Sequence, residues 1–405
     1  MIKAAVLGYG TVGSGVYEVI TTNQEVINKR VGDRLEVKYV LDLREFPGDP
    51  VEKVLIHDYE IIVNDPEIAI VVETMGGLKP AYEFTKRALQ AGKSVCTSNK
   101  ELVANHGTEL LAIAKANKCS YLYEASCGGG IPIIRPLHTS LTGDVVDAIS
   151  GILNGTTNYI LSKMASEGSE FDNVLKEAQD KGYAERNPEA DIEGHDARRK
   201  IAILSSVAYG KFIDFNDVYT EGITKISASD IKYAQSIGAA IKLLGTSKMT
   251  AEGCYAMVSP VMIDASNPLF HVNDVFNGIF VHGNMLGDSM FYGSGAGKLP
   301  TASAVVGDLV DCAKHLGEYI SPDWTEEKLE LMDIGKVTSK FFVRMKGEVS
   351  ENLEKAEAAF GKLSVITVPG LAGEFAFITE EMTEASYLEK AAGFENIINR
   401  IRVAM

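Results

Sequence analysis

The chain has 405 residues, 46% hydrophobic and 23% charged. That is the balance of a soluble globular protein with room for about two to four domains. Its formal net charge of −16, from 55 acidic and 39 basic residues, argues against non-specific nucleic-acid binding and against an anionic membrane face, both of which need basic surface.

Five scattered cysteines, Cys96, Cys119, Cys127, Cys254 and Cys312, make no C-x-x-C pair. They predict a reducing compartment with neither a disulfide framework nor a zinc knuckle. No apolar run reaches the ~18 residues of a membrane span, and no signal-peptide pattern is present, so a cytoplasmic protein is expected.

Residues 1–130 alternate the apolar runs IKAAVLG, VKYVLD, IAIVVET, KSVCTS and SYLYEAS with helical patterns such as PAYEFTKRALQAG and ELVANHGTELLAIAKANK. This alternation predicts a parallel sheet with right-handed crossovers. Directly after the first strand stands Gly8-Tyr9-Gly10-Thr11-Val12-Gly13, a G-x-G-x-x-G that opens a helix with Val12, Val16, Val19 and Ile20 on one face. Gly8 permits the tight turn, Gly10 lets backbone approach a pyrophosphate, and Gly13 lets helix and strand pack closely. The helix N-terminus adds its positive dipole. Strand, loop and helix together predict a Rossmann-type site for NAD or NADP.

Asp42 ends the second strand, placed late by an inserted loop, NQEVINKRVGD. A carboxylate there suits the ribose 2′-OH of NAD, whereas Arg44 suits the 2′-phosphate of NADP, so both cofactors stay open. Ser98-Asn99-Lys100 follows the strand SVCT, at the carboxyl end of a strand, where ligands sit. A lysine at a helix start is mildly unfavourable, which favours a functional reading of Lys100.

From about Ile131 the pattern becomes α+β. VVDAISGILNG reads as a strand, NYILSKMASEG, FDNVLKEAQDKG and DARRKIAILSSVAYG as helices, and AAIKLLGT and CYAMVSPVMI as strands. Between strand and helix, Asn154-Gly155-Thr156-Thr157 offers amides to a carboxylate, or else an ordinary N-cap at Thr156 or Thr157. The segment 182–200 is the densest cluster of ionisable residues. Asp196 and Lys200 are i,i+4 on a helix whose next residues are almost wholly apolar, so Lys200 is placed for proton transfer beside a buried face. His195, pointing elsewhere, reads as a satisfied surface or junction histidine.

Two glycine-rich turns remain, Glu124–Pro132 and Gly293–Thr301, the second able to close over the cofactor. TASAVVGDLVDCAKHLGEYI predicts an amphipathic helix through Leu316 that returns to the first domain. Residues 338–405 order as βαββαβ, a ferredoxin-like unit.

The motifs GYGTVG, TSNKE, EASCGGGIPII, GILNGTTNYIL, GYAERNPEADIEGHDARRK and GSGAGKLPTA, in that order over about 1–335, resemble the homoserine dehydrogenases. The C-terminal unit resembles an ACT regulatory domain. The fold implied is α/β: a Rossmann domain over 1–130 plus about 300–337, an α+β catalytic and dimerisation domain over 131–299, and the ACT-like unit over 338–405.

The resemblance implies NAD(P)-dependent interconversion of L-homoserine and L-aspartate 4-semialdehyde in threonine, methionine and isoleucine biosynthesis. Lys200 would give the proton, with Lys100 as second catalytic lysine and Asp196 orienting Lys200. Glu185 and Asp191 would bind the substrate ammonium, and Gly155 and Thr156 would line the pocket. The cofactor set would be Gly8, Gly10, Thr11, Val12, Gly13, Asp42, Arg44, Thr74, Ser98, Lys100, Gly182 and Gly297. Main-chain oxygens of Glu124, Cys127, Gly129 and Ile131 would hold a sodium ion. A homo-oligomer, dimer or tetramer, and an amino-acid effector such as threonine are also implied. In many members a longer basic stretch replaces LDLREF, which leaves the cofactor preference open. The alternatives are acyl chemistry at Cys127, as in aspartate-semialdehyde dehydrogenases, and a non-catalytic NAD(P)-binding sensor.

Overall fold

The structure, a computed structural model, describes residues 1–405. Its first third runs β1 (Ile2–Leu7), α1 (Thr11–Thr22), α2 (Gln24–Val31), β2 (Leu35–Leu41), β3 (Leu55–Ile56), α3 (Tyr59–Val63), β4 (Ile68–Glu73), α4 (Ala81–Gln90), β5 (Ser94–Thr97), α5 (Lys100–Ala116) and β6 (Tyr121–Leu122). Next come β7 (Val146–Ile152), α6 (Gly155–Glu167), α7 (Phe171–Asp180), α8 (Glu189–Ile192), α9 (His195–Tyr209), β8 (Lys211–Phe212) and β9 (Tyr219–Thr220). These lead into α10 (Ala228–Ser236), β10 (Ala239–Thr250), β11 (Gly253–Asp264), β12 (Phe276–Gly283), β13 (Gly287–Ser294) and α11 (Lys298–Lys314). The chain ends with β14 (Thr325–Lys328), β15 (Thr338–Lys346), α12 (Val349–Phe360), β16 (Ser364–Ile366), β17 (Glu374–Ile378), β18 (Met382–Thr383), α13 (Glu384–Ala391) and β19 (Ile397–Ala404).

Two compact units result. The first comprises Met1–Val146, Ala202–Asp214 and Phe291–Leu329. Its six strands lie in the order β3-β2-β1-β4-β5-β6, all parallel. This is the doubly wound order, with its switch point between β1 and β4. Both faces are covered, so β1 and β4 are apolar without alternation, and Ala4–Leu7 and Ile70–Val72 are fully buried. Val16 and Ile20 of α1 pack in one core with Val305, Leu309 and Cys312 of α11.

Two expectations change here. NQEVINKRVGD is mostly the helix α2, closed by Gly32 in the left-handed region, rather than a loop. Ile27 is its one buried side chain, too weak a periodic signal to read. Helix α11 starts earlier than expected, at Lys298, and stops at Lys314. Its cap His315 leaves helical geometry, so Leu316 is 44% exposed instead of buried on the helix face.

The second unit comprises Asp147–Ile201, Phe215–Met290 and Glu330–Met405. A mixed sheet runs β13-β12-β7-β10-β11-β19-β15-β17-β16. Its spine is the antiparallel pair β10–β11, in register from Ala239 opposite Asp264 to Thr250 opposite Gly253. The C-terminal segment has the ferredoxin-like order β19-β15-β17-β16 with antiparallel pairing, and its own core of Phe341, Val343, Phe360, Phe375, Phe377 and Tyr387. It joins the sheet because β19 pairs in parallel with β11, Arg402 opposite Val261. No helix is long and apolar enough to cross a membrane.

Candidate active site

In the first unit the glycine fingerprint lies at the carboxyl end of β1. Gly8 has φ +92°, a conformation that L side chains rarely adopt. A Cβ on Gly13 would stand 1.9 Å from Gly8 O, whereas one on Gly10 would meet nothing within 4 Å. Gly13 is therefore needed by the fold, and Gly10 leaves open space where a pyrophosphate approaches the start of α1. Thr11 and Val12 form its first turn. The Thr74 hydroxyl donates to Leu7 O and Gly8 O, both at 3.0 Å, and ties the loop to β4.

Beside the loop is a cavity of about 510 Å3 lined by Gly8, Gly10, Asp42, Arg44, His57 and Thr74, among others. Asp42 accepts from the Tyr9 N–H at 2.7 Å and, in a fork, from Arg44 Nε and Nη2, both at 2.9 Å. The Arg44 fork holds the Asp42 carboxyl far below the usual carboxylate range. The two residues that the sequence assigns to rival cofactors are thus partners of each other. Lys298, just after Gly297, shares a second cavity with Gly10, Thr11, Ser14 and Arg44, and pairs with Glu18 at 2.7 Å.

Lys100 is the first residue of α5, capped by Asn99, whose side chain accepts from Leu102 N–H. A fully buried carboxylate organises this turn. Glu73 accepts from the Thr97 hydroxyl at 2.6 Å and Met75 N–H at 2.8 Å, and Thr97 Oγ1 accepts from Asn99 N–H at 2.9 Å. Burial pushes the Glu73 carboxyl up, against those hydrogen bonds. Ser98 is half-buried within the turn. Glu73 went unnoticed in the sequence, although a charge ending the apolar run IAIVV was the available signal.

The two glycine-rich turns pack on each other. Gly130 N–H donates to Ser294 O at 3.0 Å, and a Cβ on Gly129 would stand 2.3 Å from Gly295 O. Glu124 lies beneath, accepting from the N–H groups of Ile133, Ile134 and Arg135 at 2.5, 2.8 and 2.7 Å. Cys127 and Ile131 are buried. No cluster of three or more His, Cys, Asp or Glu side chains could hold a metal.

In the second unit one network joins three of the expected residues. Lys200 Nζ is 2.7 Å from Asp196 Oδ2 and donates to Leu153 O at 2.7 Å. Asn154 Nδ2 donates to Asp196 Oδ2 at 2.9 Å and to Asp191 Oδ1 at 2.7 Å. Asn154, expected only as part of a segment that offers amides to a carboxylate, bridges both carboxylates through its side chain. It is also the N-cap of α6, accepting from Thr157 N–H at 2.9 Å, so neither threonine is the cap. Gly155 and Thr156 open the helix, and the Thr156 hydroxyl donates to Tyr183 O at 2.7 Å. Glu185 is exposed on the segment after Gly182, and its main-chain carbonyl accepts from Gln179 Nε2 at 3.1 Å. His195 Nδ1 is buried with no hydrogen-bond partner, so that ring nitrogen departs from the satisfied histidine expected.

Comparison with known proteins identifies the family. The family model "Homoserine dehydrogenase" matches residues 132–310, and "Homoserine dehydrogenase, NAD binding domain" matches 8–124. Homoserine dehydrogenase of Bacillus subtilis (strain 168) is 35% identical over 402 residues, 95% of this chain and 93% of the relative. The crystal structure of a homoserine dehydrogenase from Thiobacillus denitrificans matches with a TM-score of 0.89 at 35% identity, over 100% of this chain and 98% of that one. A hyperthermophilic archaeal homoserine dehydrogenase solved in complex with NADPH matches with a TM-score of 0.66 at 27% identity, over 77% of this chain and 97% of that one. The chain belongs to the homoserine dehydrogenase family, NAD(P)-dependent oxidoreductases acting on a CH–OH group.

Proposed function

We propose that this chain interconverts L-homoserine and L-aspartate 4-semialdehyde, with Lys200 moving the proton. The observation that carries this reading is the buried Lys200 ammonium, 2.7 Å from Asp196 Oδ2 and 2.7 Å from Leu153 O. Bound NAD(P) supplies or accepts the hydride. Gly8, Gly10, Thr11, Val12 and Gly13 hold its pyrophosphate. Asp42 and Arg44 take its ribose end, and Thr74, Ser98, Gly182 and Gly297 complete the set.

Carbonyl reduction builds negative charge on oxygen. Lys200 donates the proton to that nascent alkoxide, and Lys100 stabilises it as a second cation. Asp196 orients Lys200, its Oδ2 standing 2.7 Å from Lys200 Nζ. Asp191 and Glu185 select an α-ammonium, while the Gly155 and Thr156 amides at the start of α6 receive the α-carboxylate.

The carbonyls of Glu124, Cys127, Gly129 and Ile131 offer a hard cation such as sodium the oxygen donors it takes. Left-handed Gly128 and Gly129, at φ +70° and +58°, turn the backbone among them. The protein is read as a cytoplasmic homo-oligomer, dimer or tetramer. Exposed Met285, Leu286 and Tyr292 on the β12–β13 hairpin are the kind of apolar surface that a second copy covers. The ferredoxin-like order of residues 338–405 supports an ACT-type unit that answers an amino acid such as threonine.

Homoserine oxidation followed at the nicotinamide absorbance, with NAD and NADP in parallel and with and without millimolar threonine, tests the reading. Absence of turnover with both cofactors would overturn it.

A further inference from the structure

The last strand carries two arginines, Arg400 and Arg402, that share two carboxylate partners, Glu221 and Glu384. Arg402 Nη1 donates to Glu221 Oε2 at 2.9 Å and its Nη2 to Oε1 at 3.2 Å, and Arg400 Nη2 donates to Oε1 at 2.7 Å. The Tyr219 hydroxyl donates to the same oxygen. Glu384, at the start of α13, braces Arg402 through Nε, and both residues are 2% exposed. A buried ion cluster is a poor source of net stability, because desolvation offsets most of the attraction. Its geometry therefore invites another explanation.

The backbone that follows Glu221 supplies one. Glu221 N–H donates to Val258 O at 2.8 Å. Gly222 lies flat on the turn before α9, where a Cβ would stand 2.3 Å from Ile192 O and 2.5 Å from Glu193 Cα. Ile223 N–H donates to that same Ile192 O at 2.8 Å. This turn follows Asp191 directly and leads into α9, with Asp196 in its first turn and Lys200 one turn on. So the backbone behind Asp191 and Asp196 rests on residues 222–223, and the arginines of β19 fix where Glu221 stands.

We propose that Glu221 is a positioning residue for the Asp191–Asn154–Asp196–Lys200 network, held in place by Arg400 and Arg402. The proposal rests on the assignment of Lys200 and Asp191 above.

The test uses full-length Glu221→Gln and the milder Arg400→Gln, which removes one donor. Steady-state kinetics are run with homoserine and cofactor each varied, alongside the melting temperature. Small misplacements of reacting groups cost up to about 10²-fold. Glu221→Gln is therefore expected to lose on the order of 10-fold or more in kcat/KM for homoserine, with the cofactor KM unchanged. Arg400→Gln is expected to lose less in the same direction.

A merely structural cluster would lower the melting temperature and leave the kinetics of the folded enzyme alone. Wild-type kcat and homoserine KM in Glu221→Gln overturn the proposal, as they do in Arg400→Gln should Glu221→Gln fail to fold. Lys200→Ala run beside them separates the two claims. Wild-type turnover there overturns the assignment of Lys200 and the positioning claim with it. Loss there, with wild-type kinetics in both other variants, overturns positioning alone.

Discussion

Lys200 Nζ stands 2.7 Å from Asp196 Oδ2, one turn along the same helix, with the two side chains only 10% and 5% exposed. On a surface such an i,i+4 pair is worth about 0.3–0.5 kcal/mol. Buried, it behaves differently, because removing one partner leaves a lone charge at a cost of about 3–5 kcal/mol.

Lys200→Ala should therefore lower kcat by ~10²–10⁴, the size of a general acid–base contribution, and lower the melting temperature as well. The double variant Lys200→Ala with Asp196→Ala removes the stranded carboxylate. It should regain much of the stability and none of the turnover. Thermal melts and homoserine oxidation rates on the three proteins check this, and turnover that recovers with stability would argue for a structural lysine.

Gly10 and Gly13 belong to one motif yet should fail differently. A Cβ on Gly13 collides with Gly8 O at 1.9 Å, so Gly13→Ala should destabilise the first unit. Gly10 has open space around its missing Cβ and φ −82°, which alanine adopts freely. Gly10→Ala should keep the melting temperature and raise the cofactor KM. A cofactor titration of both variants reads the split.

What could be read from sequence tracks how local the determinant is. Strand runs, the fingerprint and the Asp196–Lys200 spacing are contiguous or one helical turn apart and lie where the pattern puts them, except that SYLYEAS is a strand only at Tyr121–Leu122 before a 3-10 turn at Glu124–Ser126. Helix α2 escaped because a surface helix with one buried residue, Ile27, has almost no apolar period. The strands β12 and β13 went unassigned. Glu221 was invisible for another reason. Glu221 meets Arg402 across 181 residues of chain, and no spacing rule reaches that far. Asn154 sat inside a quoted motif, but its bridge between Asp191 and Asp196 depends on α8 and α9 folding back beside it.

Asp42 and Arg44 are locked in a fork, so cofactor choice should depend on which one is released. Asp42→Asn frees Arg44 for a 2′-phosphate and should raise the NADP-to-NAD ratio of kcat/KM. Arg44→Gln should lower it. A charged hydrogen-bonded contact of about 1.5–3 kcal/mol corresponds to shifts of about 10–100-fold. Ratios that stay put in both variants would place discrimination elsewhere, with Lys298 the next residue to substitute.

Cys127 is fully buried in the glycine-rich turn. Alcohol oxidation needs no thiol nucleophile, whereas acyl chemistry forms a thioester on one. Cys127→Ser should retain homoserine turnover within a few-fold. Loss by several orders of magnitude with an unchanged melting temperature would return the acyl route to consideration.

Glu221 also predicts a pH effect whose sign follows from its surroundings. Burial alone would raise its carboxyl, but hydrogen bonds and charge from Arg402, then the charge of Arg400, outweigh burial and hold it at about 2, down from 4.5. Between those values the unfolded chain binds a proton that the folded chain does not. The contribution to stability is thus full above about pH 4.5 and is lost as pH falls toward 2. Its ceiling is about 3 kcal/mol, trimmed by solvent because the side chain is 29% exposed. Glutamine mimics the protonated acid, so Glu221→Gln should be less stable than wild type at pH 6. The gap should narrow steadily as pH drops below 4.5. Urea unfolding of both proteins at intervals from pH 6 to 3 measures it, and curves that run parallel across that range would mean the carboxylate charge is not what Arg400 and Arg402 hold.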